Sequence, residues 1–350
     1  MKKKLYLLAA CSFILNTTKA QDSHFSQFDA NPFYINPALT GERLTDYKGV
    51  QVNANFRNQI TKFTKSPSSY KNIAVGVDEP INSKFSFGQF LYNNKSATGS
   101  FNTAGLMLSG SYKLIDQTAD VQGNQNLSVG VQLGVFNKSI NPDNFTYDAQ
   151  YSSSSEDGFD RSISSGENFR RESYYNFNLN FGIYYRTTTK NKKVTAYGGL
   201  ALYNITQPNK SYLGTYSALP LRFNFHAGLM YAASKQLTIV PQLLYMNQAK
   251  ATELNIGGLI FYKIEGTLYE PIYGLSVRNK DAVIFQLGLR YQGITFRASY
   301  DVITNYTKVY RNKGFEFSLA YVFKKKTSSV KKKDETAPSG AIPSTTVGQL

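Results

Sequence analysis

A period-two alternation of apolar and polar residues is the feature that most constrains the fold of this chain. From Val50 onward, segments of about 9–11 residues carry apolar side chains at every second position, with Asn, Gln, Ser, Gly or Arg between them. In the clearest segment, residues 174–186, Asn176, Asn178 and Asn180 alternate with Phe177, Leu179 and Phe181. Successive side chains of a strand point to opposite faces, so each segment predicts a β-strand with one apolar and one polar face.

The length of these segments favours a transmembrane β-barrel over a soluble β-sandwich binding module. A tilted strand needs roughly 9–11 residues to cross a bilayer, whereas strands in soluble proteins have roughly 5–6. The chain contains 26 Tyr and 24 Phe, which cluster at the segment ends like an aromatic girdle at the membrane interfaces. We predict an all-β, antiparallel transmembrane barrel of about 14 strands over residues 49–323.

The connections between the segments indicate how the barrel is oriented. With an even number of strands, both ends of the barrel sequence lie on the same side, which is the periplasm for exported barrels. The connections predicted for the opposite, extracellular side are long: 58–69, 93–102, 137–173, 204–221 and 302–313. Most of the alternate connections are short, with 115–125 as the exception.

The N-terminus has the pattern of a cleaved Sec signal peptide. Three lysines follow Met1, an apolar stretch runs from Leu5 to Leu15, and Ala20 ends a small-residue cleavage pattern. We therefore expect residues 1–20 to be removed and 21–48 to form a non-periodic N-terminal segment in the lumen or at the periplasmic mouth. The alternative is a lipoprotein anchored through Cys11, which would leave an unusually short apolar stretch.

The C-terminus departs from the alternation after Phe323. Residues 324–350 contain six Lys, several Pro and Ser, and no apolar periodicity. Such a segment has too little apolar surface to offset its chain entropy, which predicts a disordered, basic tail in the periplasm. The formal net charge of +16 is thus concentrated partly in this tail and partly in the four lysines of residues 1–20. For an exported protein this charge suits lipid headgroups, and we expect no nucleic-acid partner.

The composition argues against an enzyme or a metalloprotein. The chain has one Cys and two His, which excludes a disulfide framework and Cys-rich metal sites. His24 and His226 lie far apart in sequence, without paired carboxylates or an HExxH motif that would support acid–base chemistry. We predict no catalytic residues, no resident metal and no cofactor.

A string of Asn, Pro and Gly residues follows the predicted signal peptide and resembles a known family. It reads NPFYINPALTG over residues 31–41, and Phe56-Arg57-Asn58-Gln59 follows in the first predicted strand. The chain resembles the PorP/SprF family of outer-membrane proteins, associated with type IX secretion and gliding motility in Bacteroidota. The similar positions extend from about Gln21 to Phe323, and the motif residues are Asn31, Pro32, Asn36, Pro37, Ala38, Thr40 and Gly41.

The resemblance implies a function that composition and spacing do not show. It implies an outer-membrane barrel that binds, anchors or assists the export of a secreted protein or surface adhesin bearing a C-terminal sorting domain. Other type IX components would be further partners, reached through the periplasmic tail. A general porin or solute channel is the alternative, since a polar lumen of about 14 strands conducts unless it is filled. Either the N-terminal segment or loop 137–173 could fill it.

Two groups of residues are candidates for partner contact. The first lies on the polar faces of the strands or at their ends: Arg57, Asn58, Gln59, Arg186, Arg222, Arg290 and Arg297. These arginines would either grip a polar plug or a client, or pair with neighbouring lumen side chains. The second group, in the long loop, is Glu156, Asp157 and Asp160. It would contribute to recognition or hold calcium, or simply form a solvated acidic loop.

Overall fold

The computed structural model of the protein describes residues 24–42, 49–61, 68–96, 100–117, 124–155, 158–304 and 313–324. The predicted signal peptide, Cys11, the loop residues Glu156 and Asp157, and the predicted tail after Lys324 lie outside the described residues.

Fourteen antiparallel strands form one closed barrel, as the alternation predicted. Each strand pairs with its neighbours in sequence, and β1 closes the barrel on β14 from Gly49 opposite Lys324 to Ile60 opposite Lys313. The strands are β1 Gly49–Thr61, β2 Ser68–Pro80, β3 Phe85–Lys95, β4 Phe101–Gln117, β5 Asn124–Ile140, β6 Ser173–Thr188, β7 Val194–Tyr203, β8 Arg222–Ala232, β9 Leu237–Gln248, β10 Ala251–Tyr262, β11 Tyr269–Arg278, β12 Ala282–Tyr291, β13 Ile294–Ile303 and β14 Lys313–Lys324. Among the described residues, no helix is both long and apolar enough to cross a membrane.

Three neighbouring strands are longer than a bilayer crossing requires. β4 and β5 have 17 residues each and β6 has 16, whereas roughly 9–11 residues suffice at the tilt of a typical barrel strand. The alternation in sequence underestimated them, because hydrogen bonding between strands continues past the point where lipid demands an apolar side chain. This part of the wall therefore extends beyond the apolar band.

The barrel has two distinguishable ends. We call the end at which β1 begins and β14 finishes the terminal end, and the opposite end the loop end. The two longest connections, 141–172 and 204–221, both lie at the loop end. The turns 249–250 and 279–281 at the same end are short, so the difference between the ends rests mainly on these two loops.

The two faces of the wall differ as the alternation predicted. Outward-facing side chains are apolar and uncovered; Leu287, for example, is 62% exposed. Inward-facing side chains are mostly polar and buried, among them Asn224, Asn255 and Glu316, each 0% exposed. An apolar outer face with a polar interior is the arrangement of membrane-spanning barrels.

The N-terminal segment, residues 24–42, passes lengthwise through the lumen. At its start, His24 lies 4.0 Å from Asp281 in a turn of the loop end. At its finish, Glu42 lies 3.3 Å from Arg186, near the terminal end of β6. The segment contains one turn of α-helix, α1 (Pro32–Ile35), flanked by 3-10 turns at Phe28–Ala30 and Pro37–Leu39.

The segment packs closely against the wall where glycine replaces a side chain. A Cβ atom at Gly130 in β5 would come within 2.3 Å of the backbone nitrogen of Ala38, which is itself fully buried. Phe33 similarly lies over Gly76 of β2, where a Cβ would come within 2.4 Å of its ring. Side-chain-free positions on the inner face thus set the depth at which the segment lies.

Gly130→Ala tests this contact, with Gly110→Ala on β4 as the matched control. A Cβ at Gly110 meets only ordinary contacts at 3.7 Å, whereas at Gly130 it overlaps the backbone of the N-terminal segment. We expect Gly130→Ala to lower the free energy of unfolding by about 1–3 kcal/mol through overpacking. The control should stay within about 0.5 kcal/mol. Urea unfolding in detergent, followed by heat-modifiable gel mobility, measures both; equal stabilities would contradict the contact.

Candidate functional site

The family-motif residues all lie in the lumen, where they attach the N-terminal segment to the wall. Pro32 and Pro37 each stand at the start of a helical turn, where a missing N–H costs no hydrogen bond. The side-chain oxygen of Asn36 accepts a hydrogen bond from the Ala38 N–H at 2.9 Å. Its amide nitrogen donates to the carbonyl oxygen of Ile183 in β6 at 2.9 Å. Asn36 therefore shapes the turn and fastens it to the barrel.

The end of the motif is held in the same way. The Thr40 hydroxyl lies 2.6 Å from that of Ser109, and the Ser111 hydroxyl donates to the Thr40 carbonyl at 2.7 Å. Gly41 has a φ of +70°, a conformation that L side chains rarely adopt, and its N–H donates to Asp78 Oδ2 at 2.6 Å. These contacts give a physical reason for a Thr-Gly pair at this point. Asn31 is also buried, at the start of α1.

The loop-end half of the segment is anchored by buried carboxylates on β13 and β14. Glu316 accepts hydrogen bonds from the backbone N–H groups of Ser26 at 2.5 Å and Gln27 at 3.2 Å. Asp301 Oδ2 accepts from the Ser26 hydroxyl at 2.6 Å, and from the guanidinium groups of Arg57 at 2.9 Å and Arg278 at 3.0 Å. We call Arg57, Arg278, Asp301 and Glu316 the charged anchor.

The predicted arginines fall into three groups in the structure. Arg57 belongs to the charged anchor, where it also donates to the His24 carbonyl at 2.6 Å, and Arg297 forms two contacts with Asp29, at 2.8 and 3.1 Å. Arg222 lies between the rings of Tyr34 and Tyr203, 4.3 Å from each centroid.

The other candidates lie at the terminal end or on the outer face. Arg186 pairs with Glu42, at the lower end of the segment. Arg290 is 45% exposed at the terminal end and pairs with Glu270 at 2.8 Å, so it does not reach the segment. Gln59 accepts from Arg57 at 3.3 Å, but Asn58 lies opposite Phe315 on the outward face, which corrects its assignment to the lumen.

Sequence reasoning missed Arg278, Asp301 and Glu316, although they make the strongest contacts with the segment. The available signal was their position on the polar face of alternating strands. A carboxylate there faces a lumen of low polarizability and requires a partner. Only closure of the barrel brings β1, β11, β13 and β14 close enough to assemble the group.

The long loop packs against the neighbouring loop rather than into the lumen. The N–H groups of Arg170 and Arg171 both donate to the Tyr212 carbonyl, at 3.1 and 3.3 Å. The Arg171 guanidinium lies 4.4 Å from the Tyr174 ring centroid. Asp160 accepts from the N–H and hydroxyl of Ser162, and these hydrogen bonds lower the pKa of its carboxyl group. Loops 141–172 and 204–221 therefore form one surface, which we call the loop platform.

The described residues contain no cluster of three or more His, Cys, Asp or Glu side chains suited to a metal ion. A calcium site in the long loop stays a prediction, since Glu156 and Asp157 lie outside the described residues.

Burial shifts the pKa of two groups in the N-terminal segment. Burial and the nearby positive charges of Arg278 and Arg57 hold the pKa of His24 well below 6.5. Its Nδ1 atom nevertheless lies 3.3 Å from Glu253, so a proton there would be partly compensated. At the other end, burial raises the pKa of the Glu42 carboxyl, while Arg186 opposes this shift.

These features define a class: an outer-membrane-type β-barrel whose lumen is occupied by its own N-terminal segment. The sequence profile described as "Type IX secretion system membrane protein PorP/SprF" matches residues 17–321. The chain therefore belongs to the PorP/SprF family, as the motif over residues 31–41 predicted.

Solved structures with the same kind of barrel have little sequence in common with this chain. A TodX mutant described as a monoaromatic hydrocarbon channel is 10% identical, with a TM-score of 0.51 over 83% of this chain and 93% of that one. The Pseudomonas putida toluene transporter TodX gives 9%, 0.48, 83% and 91%, and a Pseudomonas aeruginosa FadL homologue 14%, 0.47, 82% and 92%. At these identities the likeness concerns the fold alone. No curated protein matches the sequence significantly.

Asp301→Asn tests the charged anchor, with Glu270→Gln as the control. The first change leaves Arg57 and Arg278 buried with a neutral partner, so we expect a loss of about 3–5 kcal/mol in the free energy of unfolding. The second breaks the exposed pair with Arg290 and should cost about 0–1 kcal/mol. Urea titrations of both variants decide this; similar losses would show that the anchor contributes no more than a surface pair.

His24→Gln tests the pH dependence of the anchored segment. The unfolded chain takes up a proton at His24 near pH 6.5, whereas the folded chain does so only at a much lower pH. The free energy of unfolding should therefore decrease as the pH falls below about 6.5. His24→Gln should lose less stability than the parent chain between about pH 7.5 and pH 5.5. Parallel pH profiles for the two proteins would contradict a neutral, buried His24.

Proposed function

We propose that this chain is a non-enzymatic barrel of the type IX secretion and gliding machinery. It binds, anchors or assists the export of a secreted protein or surface adhesin that bears a C-terminal sorting domain. Membership of the PorP/SprF family supports a role in type IX secretion. The chain is exported by a signal peptide over residues 1–20 and inserted in the outer membrane with its terminal end in the periplasm.

The observation that carries this proposal is the anchored N-terminal segment. A barrel of this strand number has an interior wide enough for water unless something fills it. Here residues 24–42 pass through that interior and bind to β13 and β14 at one level and to β4, β5 and β6 at another. A pathway blocked by several buried polar contacts suits a protein that holds a partner better than one that conducts solutes.

The loop platform is the surface offered to such a partner. It presents loops 141–172 and 204–221 together, on the side that faces outward if the chain termini lie in the periplasm. Loops on a rigid scaffold are the common location of binding residues. The basic residues 324–350 would extend into the periplasm and contact other type IX components, while the apolar outer face contacts membrane lipid.

A general porin or solute channel is the second candidate. It is favoured by a cavity in the loop-end half of the lumen, which is described below, and by the channel titles of the TodX structures. A porin would require the N-terminal segment to leave the lumen or to leave a continuous path beside it.

Conductance separates the two candidates. In a planar bilayer, we expect the purified parent chain to show almost no conductance, because its segment fills the lumen. The Gly130→Ala variant, which displaces the segment, should conduct more often, while Gly110→Ala should behave like the parent chain. Stable, large conductance by the parent chain would favour the porin.

Partner binding is tested by gentle detergent purification followed by mass spectrometry. We expect a secreted protein with a C-terminal sorting domain to copurify in near-equal amount. Replacing residues 145–168 with a short Gly-Ser linker should remove this partner while the barrel retains its heat-modifiable mobility, because these residues lie outside the strands. Copurification that is unchanged by the replacement would place the partner elsewhere.

A further inference from the structure

A cavity of about 240 Å³ lies in the loop-end half of the lumen, beside the N-terminal segment. Its walls come from the segment, from β3 to β8 and from loop 204–221. The deep lining residues Phe33, Met107 and Tyr203 are buried. Asn94, Thr103 and Lys138 are only partly buried and lie near the loop ends of their strands, so they form the rim.

Aromatic rings form much of the wall. Phe33 stacks on Phe90 with ring centroids 5.5 Å apart, and Phe90 stacks on Tyr92 at the same distance. Phe25 and Phe136 also line the cavity. Such a surface suits an apolar or aromatic group. The volume is below the roughly 300–1,000 Å³ of drug-sized sites, so it matches a group about the size of one or two amino-acid residues.

The charged residues that line the cavity are both cations, Lys138 and Arg222. No carboxylate is among the described lining residues, in contrast to the charged anchor on the opposite wall. The Arg222 guanidinium is fixed in orientation by Tyr34 and Tyr203, so it does not need to be ordered when an anion binds. The cavity therefore combines apolar walls with fixed positive charge.

Asn178 adds an acceptor to this lining. Its side-chain nitrogen donates to Asn204 Oδ1 at 2.8 Å, while its buried side-chain oxygen has no hydrogen-bond partner among the described residues. A buried acceptor without a partner is unfavourable. An N–H group on a bound molecule would relieve this cost.

We propose that this cavity binds an organic carboxylate that has an aromatic or branched apolar body and an adjacent amide N–H. The body lies against Phe33, Phe90 and Phe136, and the carboxylate faces Arg222 and Lys138. Two sources have this chemistry: a free N-acylated amino acid, and the C-terminal residue of a polypeptide. The second source deepens the proposed function and rests on it; the first does not.

The absence of Trp from the chain allows a direct binding measurement. N-acetyltryptophan can be excited selectively beside the 26 Tyr residues, so its fluorescence reports its own environment. N-acetyltryptophanamide has the same ring and N–H but no carboxylate. With the detergent-solubilised full chain, we expect the acid to bind about tenfold or more tightly than the amide, with a blue-shifted emission. Equal affinities, or no binding of either probe, would overturn the proposal.

Variants locate the binding in this cavity. Arg222→Gln and Lys138→Gln should each reduce the preference for the acid at least about threefold, because each removes one lining cation. Arg290→Gln makes the same chemical change at the terminal end and should leave the preference unchanged. Since Arg222 also contacts the N-terminal segment, Lys138→Gln keeps the test informative if the first variant folds poorly. An acid preference that survives both changes would overturn the site.

A peptide probe distinguishes the two sources. A short Gly-Ser peptide ending in Trp is compared with its C-terminally amidated form. Binding of the free-acid peptide within about threefold of N-acetyltryptophan would identify a polypeptide end as a ligand that the rim admits. Exclusion of the peptide while N-acetyltryptophan still binds would assign the site to a free acid. That result would leave the copurification test of the proposed function to be decided separately.

Discussion

The polar interior of the barrel is the constraint on which the rest of the structure depends. Outward-facing positions meet lipid, which leaves polar side chains on the inner face of every strand. Those side chains are buried and need partners. Asp301 and Glu316 find theirs in Ser26 and Gln27, and Asp301 also in arginines of β1 and β11. The N-terminal segment is therefore as much a part of the core as any strand, although it makes no strand pairing.

The lumen is divided into two kinds of wall around this segment. Strands β1 and β10 to β14 carry the charged anchor and hold the segment near the loop end. On the opposite wall, glycines admit the segment at Ala38 and Phe33, and aromatic rings surround the remaining space. A firm anchor on one side allows a cavity on the other to persist without collapse. The filled lumen and the joined loops together direct any partner toward the loop end.

Much of the candidate site followed from the sequence, and the remainder had a physical reason for escaping it. The motif at residues 31–41 located the segment that matters, and the alternation placed Arg57, Arg222 and Arg297 inside. It did not distinguish them from Arg290, which has the inward parity but lies at an open end. Alternation gives the face of a residue and not its depth, since depth depends on the register between strands.

The sequence by itself determined the strand number, the lipid-facing residues and the family, because the two solvents on either side of the wall impose a local, period-two rule. Tertiary structure alone decided which polar residues meet. The charged anchor joins residues separated by more than two hundred positions, such as Arg57 and Asp301. Their contact requires closure of β1 on β14. No local pattern records it, because the Coulomb and hydrogen-bonding energy that holds the segment arises only when the closed barrel excludes water from both partners.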